Sequence, residues 1–367
     1  MKKLLMLLVI AGVLVAPLAT GTAQEALPEL TLFMGFIPNI QFAPVYVAIE
    51  KGYFAEDAGV SITLEYGDEN LGAERIAAGE LSFGIFSGEQ VILARYGGRP
   101  LVYVYEWYQR YPIALAALET SGITSVADLA GRRVGVTGRF GANYVALRAL
   151  LAANDLTEED ILLEEVGYNV PPLLCAGRLD AAMVYVANEP VQIAQDCGAV
   201  RLIEVPAESD LVANGLITNE TTLAENPALV RGMARALARG IADTLADPDE
   251  ALRLSRRYID TLPAGGSRLE IAIAADDAAR ALQAAAAGDG LTAEQAAALA
   301  AQLAAPLNAE EVTQMRVLRN SLRLWEAERP GYTDPASWEN TMNILLAAGL
   351  LPGPIDLSKA YTNEYLP

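Results

Sequence analysis

The 367-residue chain contains no histidine. That removes the commonest general base at neutral pH, and every Ser-His or Cys-His arrangement with it. Lysine is nearly absent: beyond Lys2 and Lys3 only Lys51 and Lys359 occur, so a Schiff-base or phosphate-gripping lysine is not expected. The two cysteines, Cys175 and Cys197, cannot make a closed zinc site without histidine, so no metal is expected. The turn Gly138-Arg139-Phe140-Gly141 is not G-x-G-x-x-G, and G-K-[ST], G-x-S-x-G and S-x-x-K are all missing. No cofactor is expected from these motifs, and an enzyme here would have to run on carboxylates alone. Basic charge is short as well. A formal charge of -20 disfavours nucleic acid and anionic membrane surfaces as partners.

What is present begins with MKKLLMLLVIAGVLVAPLATGTA, two lysines, an apolar core and small residues at Gly21 and Ala23. This reads as a secretory signal over residues 1–23, cut after Ala23, and its core is shorter than the roughly 20 residues a spanning helix needs. The remainder exceeds the roughly 250 residues at which single cores stop growing, so two lobes are expected. In an exported chain disulfides persist, which makes a Cys175–Cys197 bridge the expectation and two buried thiols the alternative.

The chain is organised around Leu30 to Gly59, LTLFMGFIPNIQFAPVYVAIEKGYFAEDAG. Its opening alternates as a strand ending near Phe36, Pro38 stops the ladder, and spacing near 3.6 from Phe42 to Phe54 predicts a helix. The elbow between them places Asn39 and Gln41 just past a strand's carboxyl end, where open α/β sheets bind ligands, although asparagine there also serves as an ordinary turn residue. Further strands are predicted at 60–66, from Leu81 to Phe86-Ser87-Gly88, at 99–105, 113–118, in RRVGV, and at 161–166, 181–186, 201–205 and 211–218, with helices between. From Asn226 the composition turns to Ala, Leu, Arg and Asp at helical spacing, including a packed helix pair over Ala284 to Ala305. Arg231, Arg235 and Arg239 form a basic stripe at i, i+4 and i+8, which reads better as a solvated face than as an anion site.

The string GFIPNIQFAPVYVAIEKGYFAEDAGVSITL resembles the opening of periplasmic solute-binding proteins of ABC importers, in the branch of thiamine-pyrimidine and alkanesulfonate binders. Pro38-Asn39, Ala48 to Phe54 and Gly59 to Ile62 carry the likeness, and AGRLDAAMVYVANEP resembles the family's G-x-[VL]-D-A segment. The resemblance implies an α/β fold of the two-lobed type II kind: two mixed α/β lobes on a two-strand hinge, with a helical carboxyl-terminal extension on lobe one. The expected division is lobe one over 24–113, lobe two over 114–214, and the return to lobe one with the terminal helices over 215–367. It also implies an exported, extracytoplasmic protein, a monomer, that hands a small solute to the permease subunits of an importer. Related synthases of fungi are understood to use histidine and a cysteine-rich motif, both absent here, which favours binding without chemistry.

The expected ligand-contacting residues are Asn39, Phe42, Tyr46, Tyr66, Phe86, Ser87, Trp107, Phe140, Asn143, Tyr144, Tyr168, Asn169, Tyr185, Asn188 and Glu189. Rings stack on rings while amides and a carboxylate address ring N–H and C=O groups, so a heteroaromatic solute suits the set. Core packing is the ordinary fate of each aromatic taken singly. Riboflavin is preferred because rings are many for a single pyrimidine. A thiamine pyrimidine precursor of the formylaminopyrimidine kind is the alternative, and a secreted carboxylate-dependent hydrolase using Glu189 with a second acid is the rival from another class. A structural or adhesive module lacks repeats and a stalk.

Overall fold

The computed structural model describes residues 26–206, 211–260 and 309–367, with isolated positions 262, 292, 294, 295 and 297. The expected secretory segment 1–23 and, but for those isolated positions, the expected helix pair over Ala284 to Ala305 lie outside the described residues.

Two five-stranded sheets are built on the same plan. The first takes β1 (Glu29–Met34), β2 (Ser61–Tyr66), β3 (Phe83–Ser87), β4 (Leu101–Glu106) and β10 (Asn214–Asn219) in the order β2-β1-β3-β10-β4. The second takes β5 (Ile113–Leu118), β6 (Arg133–Val136), β7 (Leu162–Glu165), β8 (Ala181–Tyr185) and β9 (Val200–Glu204) in the order β7-β6-β8-β5-β9. In each sheet the strand adjoining the inter-sheet connection runs against its neighbours: β10 against β3 and β4, and β5 against β8 and β9. The chain leaves the first sheet after β4, crosses over residues 107–112, and re-enters it at Asn214.

β1 is buried on both faces, which is why Leu32, Phe33 and Met34 all lack solvent exposure. Leu32 and Met34 face α1 (Ala43–Glu50) and α9 (Pro227–Ala246), while Phe33 meets Ala73 and Ile76 of α3 (Glu69–Ala77) on the other side. The strand stops at Met34, two residues before the expected Phe36, because Gly35 turns against β3. A Cβ there would stand 2.8 Å from Phe86 Cβ, so the close approach requires glycine. Asn39 then caps the short turn Ile40–Phe42 by accepting from the Gln41 N–H at 2.9 Å, and Pro44 sits in the first turn of α1.

The arginine stripe of α9 is paired rather than poised for an anion. Arg239 meets Asp57 and Glu56 at 2.9 Å, and Arg231 donates to the Glu364 carbonyl at 3.1 Å. At the other margin the tail pairs with edge strand β4, the Tyr103 N–H donating to Ala360 O and the Thr362 N–H to Tyr103 O, both at 2.9 Å. This covers an edge that would otherwise be open. The helix Pro335–Ala347 locks it, with Trp338 stacked on Tyr361 and edge-on to Tyr103.

The second lobe is smaller. Leu115, Val134, Val136 and Met183 pack on Ala146, Leu147 and Leu150 of α5 (Gly141–Ala152), and Ala116, Ala182 and Val184 pack on α6 (Val170–Cys175) and α7 (Glu189–Asp196). Cys175 and Cys197 are bridged, with Cα atoms 5.4 Å apart, tying the end of α6 to the end of α7.

Candidate functional site

The carboxyl ends of strands from both sheets face each other across a cleft, and two small cavities lie in it. One is bounded by Gly35, Phe36, Gln41, Phe42, Ile85, Trp107, Tyr108, Tyr185 and Asn214. The other is bounded by Gly35, Phe36, Glu69, Thr137, Phe140, Gly141, Ala142, Asn143, Tyr168 and Tyr185. Gly35, Phe36 and Tyr185 belong to both, so the two are compartments of one site, the first walled mainly by rings and the second by rings together with Glu69, Thr137 and Asn143. Each measures about 30 Å³. That is room for a water, so a ring-sized ligand needs the lobes further apart than they stand here.

Direct hydrogen bonds hold the lobes in this closed arrangement. Asn39 Nδ2 donates to Asn188 Oδ1 at 3.3 Å, and Asn214 Nδ2 donates to the Tyr185 hydroxyl at 3.1 Å. The Tyr168 hydroxyl donates to Asp68 Oδ1 at 2.8 Å while its ring stands edge-on to Phe36, centroids 4.7 Å apart. Tyr111, in the crossing, donates its hydroxyl hydrogen toward Glu89 Oε1, with the Ala142 carbonyl of the second lobe 3.2 Å away. All but the last join side chains, which can change partners when a ligand enters.

Three carboxyls border the cleft in burial that raises their proton affinity. Burial pushes Glu69 up to about 8, opposed by hydrogen bonds from the Ser87 hydroxyl and N–H and reinforced by Glu89 and Asp68. Glu89 rises to about 7 by burial, against the bond from Tyr111, and its Oε2 has no partner among the described residues. Glu189 rises to about 7 by burial, against backbone N–H groups including that of Tyr185 at 2.9 Å. Neither cavity is bordered by a lysine or arginine among the described residues.

Of the residues expected to touch ligand, Phe42, Trp107, Phe140, Asn143, Tyr168 and Tyr185 line the two cavities. Asn39 and Asn188 meet each other across the cleft, and Ser87 holds Glu69. The others stand elsewhere. Phe86 points into the core against the far face of β1, buried with Phe33 and Ile76, because successive strand residues alternate faces and Ile85 takes the cleft side. Tyr46 is buried in helix packing, stacked on Tyr258 with centroids 4.4 Å apart, and its hydroxyl meets that of Tyr66 at 3.1 Å. Tyr144 faces outward along α5 and donates to Glu158, while Asn169 donates to the Val166 carbonyl in its own turn. Glu189 serves its own strand-to-helix turn through the Tyr185 N–H rather than the cavities.

Sequence reasoning did not place Phe36, Ile85, Tyr108, Thr137 or Asn214 in the site, put Gln41 in the ligand-side elbow without counting it among the contacts, and passed over Glu69 altogether. Tyr108 and Gln41 were visible as an aromatic cluster and an elbow amide. Glu69 carried one signal, an acid in the first turn of the helix that follows β2. Such an acid reads as a partner of the helix dipole.

Two mixed sheets, antiparallel strands at the crossing and a cleft at the strand ends define a two-lobed binding protein. The alkanesulfonate-binding protein SsuA from Xanthomonas axonopodis pv. citri, solved with MOPS bound, has this fold: the TM-score is 0.63 at 15% identity, covering 92% of this chain and 99% of that one. The chain belongs to the NMT1/THI5-like family, whose sequence profile matches residues 39–251. A riboflavin-binding protein, RibY of Chloroflexus aurantiacus, is 36% identical over 353 residues, 94% of this chain and 88% of that protein. A 4-amino-5-hydroxymethyl-2-methylpyrimidine phosphate synthase from Legionella pneumophila is 28% identical over 231 residues, 62% of this chain and 72% of the other. The chain is thus a solute-binding protein of this family.

Proposed function

We propose that this protein captures riboflavin outside the cytoplasm, as an exported monomer, and delivers it to the permease subunits of an ABC importer. The observation that carries the reading is the ring-walled compartment of Phe36, Phe42, Trp107, Tyr108 and Tyr185, set between two lobes in a chain 36% identical to a riboflavin-binding protein. A three-ring ligand entering between the lobes takes its stacking from Phe42 and Trp107 on one side and Tyr185 on the other, while Asn39, Asn188, Gln41 and Asn214 exchange their present partners for its polar edge. The division proposed is lobe one over 24–113 and 215–367 and lobe two over 114–214, with the hinge at the two crossings; the sheets shift each boundary by one residue, Ile113 opening β5 and Asn214 opening β10. The bound solute is carried, not transformed, since a chain without histidine offers only partly protonated carboxyls beside the cleft.

The alternative ligand, an aminopyrimidine precursor of thiamine, draws support from the pyrimidine phosphate synthase among the relatives. Titration of riboflavin fluorescence with refolded, ligand-free protein separates the two. The expected result is quenching at micromolar protein, together with a changed radius of gyration by X-ray scattering as the lobes re-set around the ligand. Replacement Tyr185→Ala is expected to weaken binding by about 1–3 kcal/mol. Unquenched riboflavin alongside a calorimetric signal for 4-amino-5-hydroxymethyl-2-methylpyrimidine hands the assignment to the pyrimidine.

A further inference from the structure

We infer that Glu69 makes the cleft reject phosphorylated and other anionic forms of its solute, so that the protein takes the free alcohol and leaves the phosphate ester. The inference deepens the reading above and rests on the cleft being the solute site. Its starting point is α5, a helix of 12 residues whose first turn, Gly141 to Asn143, borders the polar compartment. The free N–H groups and positive end of a helix draw anions. A second observation marks the place as a ligand position: Asn143, buried and lining the same compartment, gives its amide hydrogen to Thr137 and keeps Oδ1 without a partner among the described residues. An unpartnered acceptor there asks for a donor, which a hydroxyl supplies and a phosphate dianion does not.

Glu69 reaches this turn from the opposite lobe. Its Oε2 would stand 2.7 Å from a Cβ built on Gly141, so the carboxyl is packed on the helix end where an anion would otherwise sit. The φ of +68° at Gly141 and this contact together leave room for glycine alone. Glu69 is held by the Ser87 hydroxyl and N–H, and Glu89 lies behind Ser87. With no lysine or arginine bordering either compartment among the described residues, a phosphate brought here finds no cation, only the Glu69 carboxyl already packed on the helix end, which repels it outright once ionised above about pH 8. Hydroxyl groups, by contrast, can donate both to Glu69 and to Asn143 Oδ1.

The test, run at pH 9 where the Glu69 carboxyl is ionised, compares riboflavin with riboflavin 5′-phosphate on the wild-type protein and on Glu69→Gln, by fluorescence quenching and calorimetry. The wild type is expected to prefer the alcohol by about 100-fold or more, and the variant to narrow that ratio about tenfold or more. Inorganic phosphate alone is the second probe, read as a thermal shift of ligand-free protein. It is expected to stabilise Glu69→Gln at millimolar concentration and leave the wild type unmoved. Should Glu69→Gln fail to fold, Glu69→Ser carries the same comparison. Equal wild-type affinity for the two flavins overturns the inference, as does a folded variant that keeps the wild-type ratio and ignores phosphate. If neither flavin binds but the variant alone responds to phosphate, the riboflavin assignment falls while the role of Glu69 stands.

Discussion

The two lobes share a strand order and differ in how they are held together. Lobe one has two large clusters of buried side chains, all three tryptophans, and a tail that pairs with its edge strand. Lobe two packs its sheet with smaller residues, Ala116, Ala181, Ala182 and Val184 among them, and adds a covalent tie between α6 and α7. A small core contributes less burial, so lobe two depends on constraint where lobe one depends on mass. The site divides between them as well. Lobe one and the crossing bring Phe36, Phe42, Trp107, Tyr108 and the Glu69 carboxyl, whereas lobe two brings Phe140, Tyr168, Tyr185, Thr137 and the first turn of α5.

The largest effect expected is on pH dependence, because the buried acids of lobe one depend on lobe two for cover. Below about 4.5 Glu69 is protonated both folded and unfolded. Between about 4.5 and about 8 the native state holds a proton that the unfolded chain has released, so stability falls as pH rises through that window and levels off above it. A tenfold difference in proton affinity between the folded and unfolded states corresponds to about 1.4 kcal/mol, and Glu89, at about 7, acts in the same direction. Ligand-free wild-type protein should melt at a lower temperature at pH 8 than at pH 5, and Glu69→Gln should show a flatter profile. A wild-type melting temperature that climbs over this range would mean that the acids are ionised in compensated surroundings and that the lobes do not shield them.

Removing the disulfide is expected to cost about 3 kcal/mol in the chain-entropy account for a separation of 22 residues. The loss should fall on lobe two. Because Trp107, Trp325 and Trp338 all lie in lobe one or the crossing, tryptophan fluorescence reports that side, while far-ultraviolet circular dichroism reports both. In the double variant Cys175→Ser, Cys197→Ser the dichroism should begin to fall before the fluorescence moves. Coincident transitions at a common lower midpoint would show instead that the lobes unfold as one unit.

Much of this architecture was legible in the sequence because strands and helices leave different periods and because glycine and proline mark their ends. The site was less so. Spacing put Phe86 at a strand's end and could not say which face it takes, since β3 is apolar on both sides and leaves no polar alternation to read. Tyr46 offered the same ambiguity on a helix buried along nearly its whole length. Glu189 was correctly placed at a strand's end, but only the fold reveals that its oxygen is already engaged by the Tyr185 N–H. Glu69 was missed for the opposite reason: an acid at a helix start is ordinary until a second lobe is laid over it. Contacts across the cleft join residues such as Asn39 and Asn188, far apart in the chain, and no local pattern announces such pairs.

Tyr168→Phe is the gentlest way to test whether the lobes are held by their direct contacts. The change removes the hydroxyl that lobe two gives to Asp68 of lobe one and keeps the ring edge-on to Phe36, so the apolar part of the contact survives. A hydrogen bond of this kind contributes about 0.5–1.5 kcal/mol net, and Asp68 is exposed enough to regain water when its partner goes. The variant should fold and melt like the wild type, because the bond joins the lobes and supports neither core. Its ligand-free form should spend more time open, giving a slightly larger radius of gyration in scattering. Ligand affinity should fall by only about two- to tenfold, the cost of reaching a closed state less populated beforehand. If affinity and radius both stay at wild-type values while Asn39→Ala changes them, the hold between the lobes lies with the amide pair at the elbow and not with this tyrosine.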